Sequence, residues 1–149
     1  MKLTDTFKKF FDQAETGGLE TASYPAAYND LIMDVGFGFG VPTHIPWIAF
    51  LAHGQTVRNG IFPVFYFFKK LHYVILAYGI SEENIPVKSW GAPLKVQTVK
   101  QCFKTKNKIP QKYHKSYVFA TYTTLKDLDY EQMETDLQKL IQHYKTRFP

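Results

Sequence analysis

The fold is decided by Ile61-Phe62-Pro63-Val64-Phe65-Tyr66-Phe67-Phe68, followed by Lys69-Lys70-Leu71-His72 and then Tyr73-Val74-Ile75-Leu76-Ala77-Tyr78-Gly79-Ile80. Two apolar runs rich in β-branched and aromatic residues, joined by a short polar segment, read as a β-hairpin. Pro63 lacks a backbone donor, which predicts an edge position or a bulge near the start of the first strand. Working outward, Pro46–Ala52 is a further short apolar strand. Leu31–Val35 is a strand entering a glycine-rich loop, Gly36-Phe37-Gly38-Phe39-Gly40, and the alternating segment Ser116–Thr123 is another strand. At the N-terminal end Leu3, Phe7, Phe10, Phe11 and Ala14 recur at helical spacing, so a helix is expected over Thr4–Glu15 with Gly17-Gly18 ending it. Pro25 is suited to open a short second helix through Ala26, Ala27 and Tyr28. Val96, Val99, Lys100 and Phe103 fit one short helix after an irregular stretch containing Pro86, Gly91 and Pro93. Asp129 is placed to cap a last helix whose apolar stripe is Met133, Leu137, Leu140, Ile141 and Tyr144. Helices at both ends of a run of strands give one α+β domain over residues 1–149, a central, mostly antiparallel mixed sheet flanked by N- and C-terminal helices.

A chain of 149 residues with 45% hydrophobic and 17% aromatic content has ample material for one core, and disorder is not expected. The lone cysteine, Cys102, allows no internal disulfide and reads as a small apolar residue on a helix face, in keeping with a reducing cytoplasm. The first residues lack the apolar core of a signal peptide, and the runs Pro46–Ala52 and Ile61–Phe68 are too short to span a bilayer, so no membrane association is expected. The formal net charge is +5, but its distribution says more. From Val35 to Lys126 there are twelve basic residues and only two acidic ones, Glu82 and Glu83, a local balance of +10, while the two ends together carry −5. Such asymmetry predicts a positive face suited to a polyanion.

Enzymatic patterns are weak. His44, His53, His72, His114 and His143 do not pair at metal-ligand spacing, and no nucleophile elbow, phosphate loop or zinc-deaminase signature occurs. The glycines of Gly36–Gly40 are followed by Val41-Pro42 instead of a helix, unlike a dinucleotide fingerprint. No cofactor or metal is expected, and the chain reads as a binding domain. Aromatic side chains hold bases by stacking and lysines hold phosphates. Phe37, Phe39, Trp47, Phe62, Tyr66 and Tyr113 are interleaved with the basic residues, so nucleic acid is the expected ligand.

A more specific signal comes from a series of blocks in order. Phe37-Gly38-Phe39-Gly40, Ile45-Pro46-Trp47-Ile48-Ala49-Phe50-Leu51, Gly54-Gln55, Asn59-Gly60-Ile61-Phe62-Pro63-Val64 and Leu76-Ala77-Tyr78-Gly79-Ile80-Ser81 closely resemble the N-terminal DNA-recognition domain of McrB. McrB is the GTP-driven subunit of the methylcytosine-dependent McrBC type IV restriction endonucleases. Tyr24-Pro25, Tyr28, Lys112-Tyr113, Ser116-Tyr117 and the closing Tyr144-Lys145 fit the same pattern, so the resemblance covers nearly the whole chain.

That resemblance implies base flipping: a modified cytosine leaves duplex DNA and enters an aromatic pocket, here carried over to Trp47, Phe62, Tyr66 and Tyr113. Two of these depart from the best-known relative, which has a tyrosine at Phe62 and a leucine at Tyr66, and the exact modified base is open among 5-methyl-, 5-hydroxymethyl- and N4-methylcytosine and N6-methyladenine. Phe39, between Gly38 and Gly40, matches an aromatic that enters the duplex beside the flipped nucleotide; the competing expectation is that it caps the core. Phosphate contacts are expected from Arg58, Lys69, Lys70, Lys104, Lys106, Lys108 and Lys112. The resemblance also implies partners: double-stranded DNA with a modified base, a downstream AAA+ GTPase domain and a McrC-like endonuclease subunit. Nothing in this chain resembles either of the latter two, and GTP hydrolysis and cleavage are expected elsewhere. The competing classes are a module for RNA or single strands and a protein-interaction domain with a basic face.

Overall fold

A computed structural model describes residues 1–91, 94–107 and 112–149. In chain order the elements are α1 (Leu3–Thr16), β1 (Ala27–Tyr28), β2 (Leu31–Phe39), β3 (Val41–Leu51), β4 (Ile61–Phe68), β5 (Tyr73–Ile80), α2 (Val99–Lys104), β6 (Tyr117–Thr123) and α3 (Tyr130–Lys145). The six strands form one sheet in the order β1-β2-β3-β4-β5-β6, and every pairing is antiparallel. The expected α+β architecture with helices at both ends is present, without the parallel component of a mixed sheet.

The quoted hairpin is its centre. β4 and β5 pair along their whole length, from Ile61↔Ile80 to Phe68↔Tyr73, through a 3-10 turn at Lys69–Leu71. β4 is buried at all eight positions and lies between β3 and β5, so the edge placement expected from Pro63 is wrong. The proline is tolerated because the registered pairs between β3 and β4 run only over Trp47–Ala49 and Val64–Tyr66, and Pro63 falls just beyond them. Side chains alternate across the sheet. Phe65 and Phe67 meet Phe7 and Phe11 of α1 at ring-centroid distances of 5.0 and 5.1 Å. Phe68, facing the other way, meets Phe103 of α2 at 4.8 Å.

The two terminal helices share the first of these faces. Gly17, with φ +79°, ends α1 as expected, its N–H bonding to the Gln13 carbonyl. Asp129 caps α3 by accepting from the Gln132 N–H. Tyr144 of α3 ties the helix to β4 and to the residue just after β3: its hydroxyl donates to the Ile61 carbonyl (2.7 Å) and accepts from the Ala52 N–H (3.0 Å). Cys102 is buried on α2, as expected of a small apolar residue.

Two expectations fail locally. Ala27–Tyr28 is a strand, not part of a helix begun at Pro25, because Asn29 and Asp30 both adopt positive φ (52° and 65°) and turn the chain directly into β2. Gly36–Gly40 is not a free loop. β2 runs on through it with a register shift between Gly36 and Gly38, and only Gly40 separates β2 from β3.

Candidate nucleic-acid interface

The face of the sheet turned away from α1 and α3 is only partly covered. Beside α2 it opens into a cleft of about 980 Å³. Its floor is built from strand residues, among them Trp47 on β3 and Phe62, Val64 and Tyr66 on β4, and its far wall is the segment Lys112–His114. The tip of the β2–β3 hairpin, from Gly36 to Thr43, forms the near wall. All four residues expected to form an aromatic pocket, Trp47, Phe62, Tyr66 and Tyr113, line this one cleft.

Glycines make the floor flat. Trp47 and Gly36 are register partners, and a Cβ at Gly36 would lie 2.1 Å from Trp47 Cζ2, so the indole rests on bare backbone. The same device recurs at Phe62, whose partner Gly79 has room for no Cβ: one would sit 2.4 Å from the Phe62 carbonyl oxygen and 2.7 Å from its ring. Neither platform was expected from the sequence, where Gly36 looked like a loop residue and Gly79 like an ordinary strand position.

Tyr66 and Tyr113 stack on each other, with centroids 4.1 Å apart and planes within 15°. Tyr66 is buried, and its hydroxyl, the polar tip absent from a leucine, is hydrogen-bonded to the buried Ser116 side chain. The same Ser116 Oγ accepts from the Ile80 N–H at 3.1 Å. The stretch leading from Tyr113 into β6 is fixed by the start of α2, where the Val99 N–H donates to the Ser116 carbonyl (2.8 Å) and the Lys100 N–H to the His114 carbonyl (3.5 Å). Tyr113 itself has φ +69°, a left-handed conformation that costs an L-residue about 1–3 kcal/mol and that clusters at ligand clamps. Burial, with the Glu82 charge adding to it, raises the Tyr113 hydroxyl to about 12, so it stays protonated and able to donate at neutral pH. A base sandwiched between Tyr66 and Tyr113 would have to spread them to roughly twice their spacing; as they stand, the partly exposed aromatic surfaces of the cleft are those of Trp47 and Tyr113, while Phe62 is buried beneath them.

Phe39 is 99% exposed at the tip of the β2–β3 hairpin, which removes the expectation that it caps the core. Phe37, two residues earlier, is the one that packs inward, against Phe10 and Tyr24. Gly38 (φ +124°) admits no side chain, since a Cβ would meet the Val41 carbonyl oxygen at 2.1 Å; Gly40 (φ +78°) has open space around it and serves the turn.

The basic residues divide. Arg58 and Lys112 line the cleft. Lys69, Lys70, Lys104 and Lys106 do not. Lys69 and Lys70 lie in the β4–β5 turn, where Lys69 Nζ donates to the Ala14 carbonyl at the end of α1 (2.6 Å), and Lys106 lies over the Tyr73 ring at 5.0 Å. Lys108 lies outside the described residues. Glu82 and Glu83, the two acidic residues of the basic stretch, are also on the cleft rim, which charge counting did not reveal. Trp90, not singled out from the sequence, anchors the irregular segment after β5. It is buried, donates from Nε1 to the Gly79 carbonyl (3.0 Å) and stacks on His143.

A meander sheet with helices on one face thus carries, on the other, a glycine-floored aromatic cleft beside an exposed phenylalanine on a hairpin tip. Among the described residues no group of three His, Cys, Asp or Glu side chains is placed to hold a metal ion, and no helix is long and apolar enough to cross a membrane. The chain matches no model of a known protein family. It is 35% identical over 144 residues to the type IV methyl-directed restriction enzyme EcoKMcrB subunit of Escherichia coli strain K12. That match takes in 95% of this chain and 31% of the relative, so the chain is a homologue of McrB and spans about a third of that protein's length.

Proposed function

We propose that this chain binds duplex DNA carrying a modified cytosine and holds that base, rotated out of the helix, in the aromatic cleft. It would serve as the targeting part of a modification-dependent restriction system. The observation that carries this reading is the convergence of Trp47, Phe62, Tyr66 and Tyr113, far apart in sequence, on one cleft beside the protruding Phe39.

Extruding a base costs a few kcal/mol of pairing and stacking. Stacking on an aromatic side chain returns about 1–3 kcal/mol, and an aromatic wedge at the vacated position restores part of the stack. The cleft supplies the first and Phe39 is placed for the second. Arg58 and Lys112 line the cleft and, on this reading, contact the phosphates that flank an extruded nucleotide. Nucleotide hydrolysis and strand cleavage belong, on this reading, to an AAA+ GTPase and a McrC-like nuclease outside these residues, acting in the cytoplasm.

The test is a titration at fixed moderate salt against one labelled duplex in five versions: unmodified, 5-methylcytosine, 5-hydroxymethylcytosine, N4-methylcytosine and N6-methyladenine. A preference for one modified version of tenfold or more, about 1.4 kcal/mol, is expected. Equal affinity for all five refutes a base-reading cleft.

A further inference from the structure

We propose that Glu82 determines specificity in the cleft by accepting a hydrogen bond from the exocyclic amino group of the bound base, so that an amino-bearing base is taken and thymine is refused. This rests on the base-reading function above and names the group that reads.

The need for such a residue is chemical. A pocket that senses only a flat ring and a 5-methyl group cannot tell 5-methylcytosine from thymine, because both carry that methyl and thymine is present throughout DNA. The two differ at position 4, where cytosine has an amino donor and thymine a carbonyl acceptor. Aromatic walls do not sense that difference. An ionised carboxylate does, since it accepts from the amine and is repelled by the carbonyl oxygen.

The cleft offers two carboxylates, and they are the only acidic residues between Val35 and Lys126. A negative charge beside a polyanion weakens binding, so its place on this rim calls for a role. Glu83 faces Arg58, with Oε1 3.8 Å from the guanidinium Nε. Glu82 makes no hydrogen bond or salt bridge among the described residues. It lines the same cleft as Tyr66 and Tyr113, and its charge adds to the rise that burial imposes on both hydroxyls.

The backbone under Glu82 is pinned. The Ser81 N–H donates to the Gly60 carbonyl (3.0 Å), Ser81 Oγ accepts from the Gly60 N–H (3.1 Å) and donates to the Asn84 carbonyl (2.6 Å), and Asn84 Nδ2 donates to the Arg58 carbonyl (2.9 Å). A fixed main chain limits where the carboxylate can reach. Trp47 Nε1 supplies the complement: it is buried with no hydrogen-bond partner among the described residues, a donor suited to an acceptor of the kind a pyrimidine ring carries.

The experiment places 5-methylcytosine or thymine opposite an abasic site in otherwise identical duplexes, which removes the difference in pairing cost, and measures the affinity ratio by competition. The parent chain is expected to favour 5-methylcytosine by roughly tenfold or more. Glu82→Gln, whose amide can donate to the thymine carbonyl, is expected to bring the ratio within about threefold, and Glu82→Ala, a truncation of an exposed side chain, to narrow it as well. Glu83→Gln is expected to shift both affinities together and keep the ratio. A ratio unchanged in Glu82→Gln and Glu82→Ala, with the circular dichroism of the parent, overturns the assignment, as does a parent chain that binds the two bases equally. The base-reading function is judged separately, on fully paired duplexes: it fails if 5-methylcytosine and cytosine bind alike there.

Discussion

The two faces of the sheet are made from the same strands and the same kinds of residue, yet they do different work. On the α1–α3 face, Phe65, Phe67 and Phe50 are sealed under helices and held by edge-to-face contacts with Phe7, Phe11 and Tyr28. On the other face, one and three residues away from Phe65 along β4, Tyr66 and Phe62 line a cleft bounded by a hairpin tip and the segment around Tyr113. Phe65 and Tyr66 are equally buried, at 1% and 2% exposure, so burial alone does not separate core from site. What separates them is the opposite side: a helix that completes the packing in one case, glycine platforms and an unfinished wall in the other.

That contrast can be broken by mutation, and the largest effect belongs to the helix face. Phe65→Ala should lower stability by about 3–5 kcal/mol, because it opens a cavity under α1; chemical denaturation measures this, and a loss below about 1 kcal/mol would mean that the two faces are not energetically distinct. Trp47→Ala should instead leave a folded protein whose affinity for the preferred modified duplex falls by about 1–3 kcal/mol. Gly36→Ala sharpens the point. Its added Cβ must displace the indole, so tryptophan fluorescence should change and binding should fall toward the Trp47→Ala level.

Smaller effects follow at the rim. Phe39→Ala removes a side chain that touches little, so stability should stay within about 0.5 kcal/mol of the parent while DNA affinity drops by about 1 kcal/mol. Parallel denaturation and titration decide, and a loss of stability with unchanged binding would return Phe39 to a structural role. Last, Arg58→Gln should reduce the slope of log affinity against log salt by about one. Lys69→Gln should leave that slope unaltered and cost about 1 kcal/mol of stability, through its bond to the Ala14 carbonyl.

How much of this was legible in the sequence depended on the range of the interaction. α1, α3, the Asp129 cap and the β4–β5 hairpin are written in local periodicity and turn residues, and they stand where expected. Pro63 misled because its tolerance depends on where the ladder to β3 stops, a property of a neighbouring strand. Gly36 misled because its purpose is the indole of Trp47 across the sheet, eleven residues away in sequence. The pocket aromatics were named through a family resemblance, and their convergence on one cleft needed the fold. Composition alone left Phe37 and Phe39 equivalent, although one is 3% and the other 99% exposed. The basic residues were legible as a group and not as individuals, since nothing local distinguishes Lys69, spent on capping a helix, from Lys112 on the cleft rim.

Strand order in this sheet equals chain order, and that has a consequence for how the protein forms. Each strand can join the one made just before it, so the loops closed at each step are short and the entropy lost in closing them is small. Gly36, Trp47, Phe62 and Tyr66 all lie within three successive strands, so the cleft floor can zip up as a local assembly. Tyr113 reaches Tyr66 only after the chain has passed through β5 and α2. Floor and far wall therefore belong to early and late stages of folding, and substitutions in the floor should slow folding where those at Tyr113 should chiefly speed unfolding.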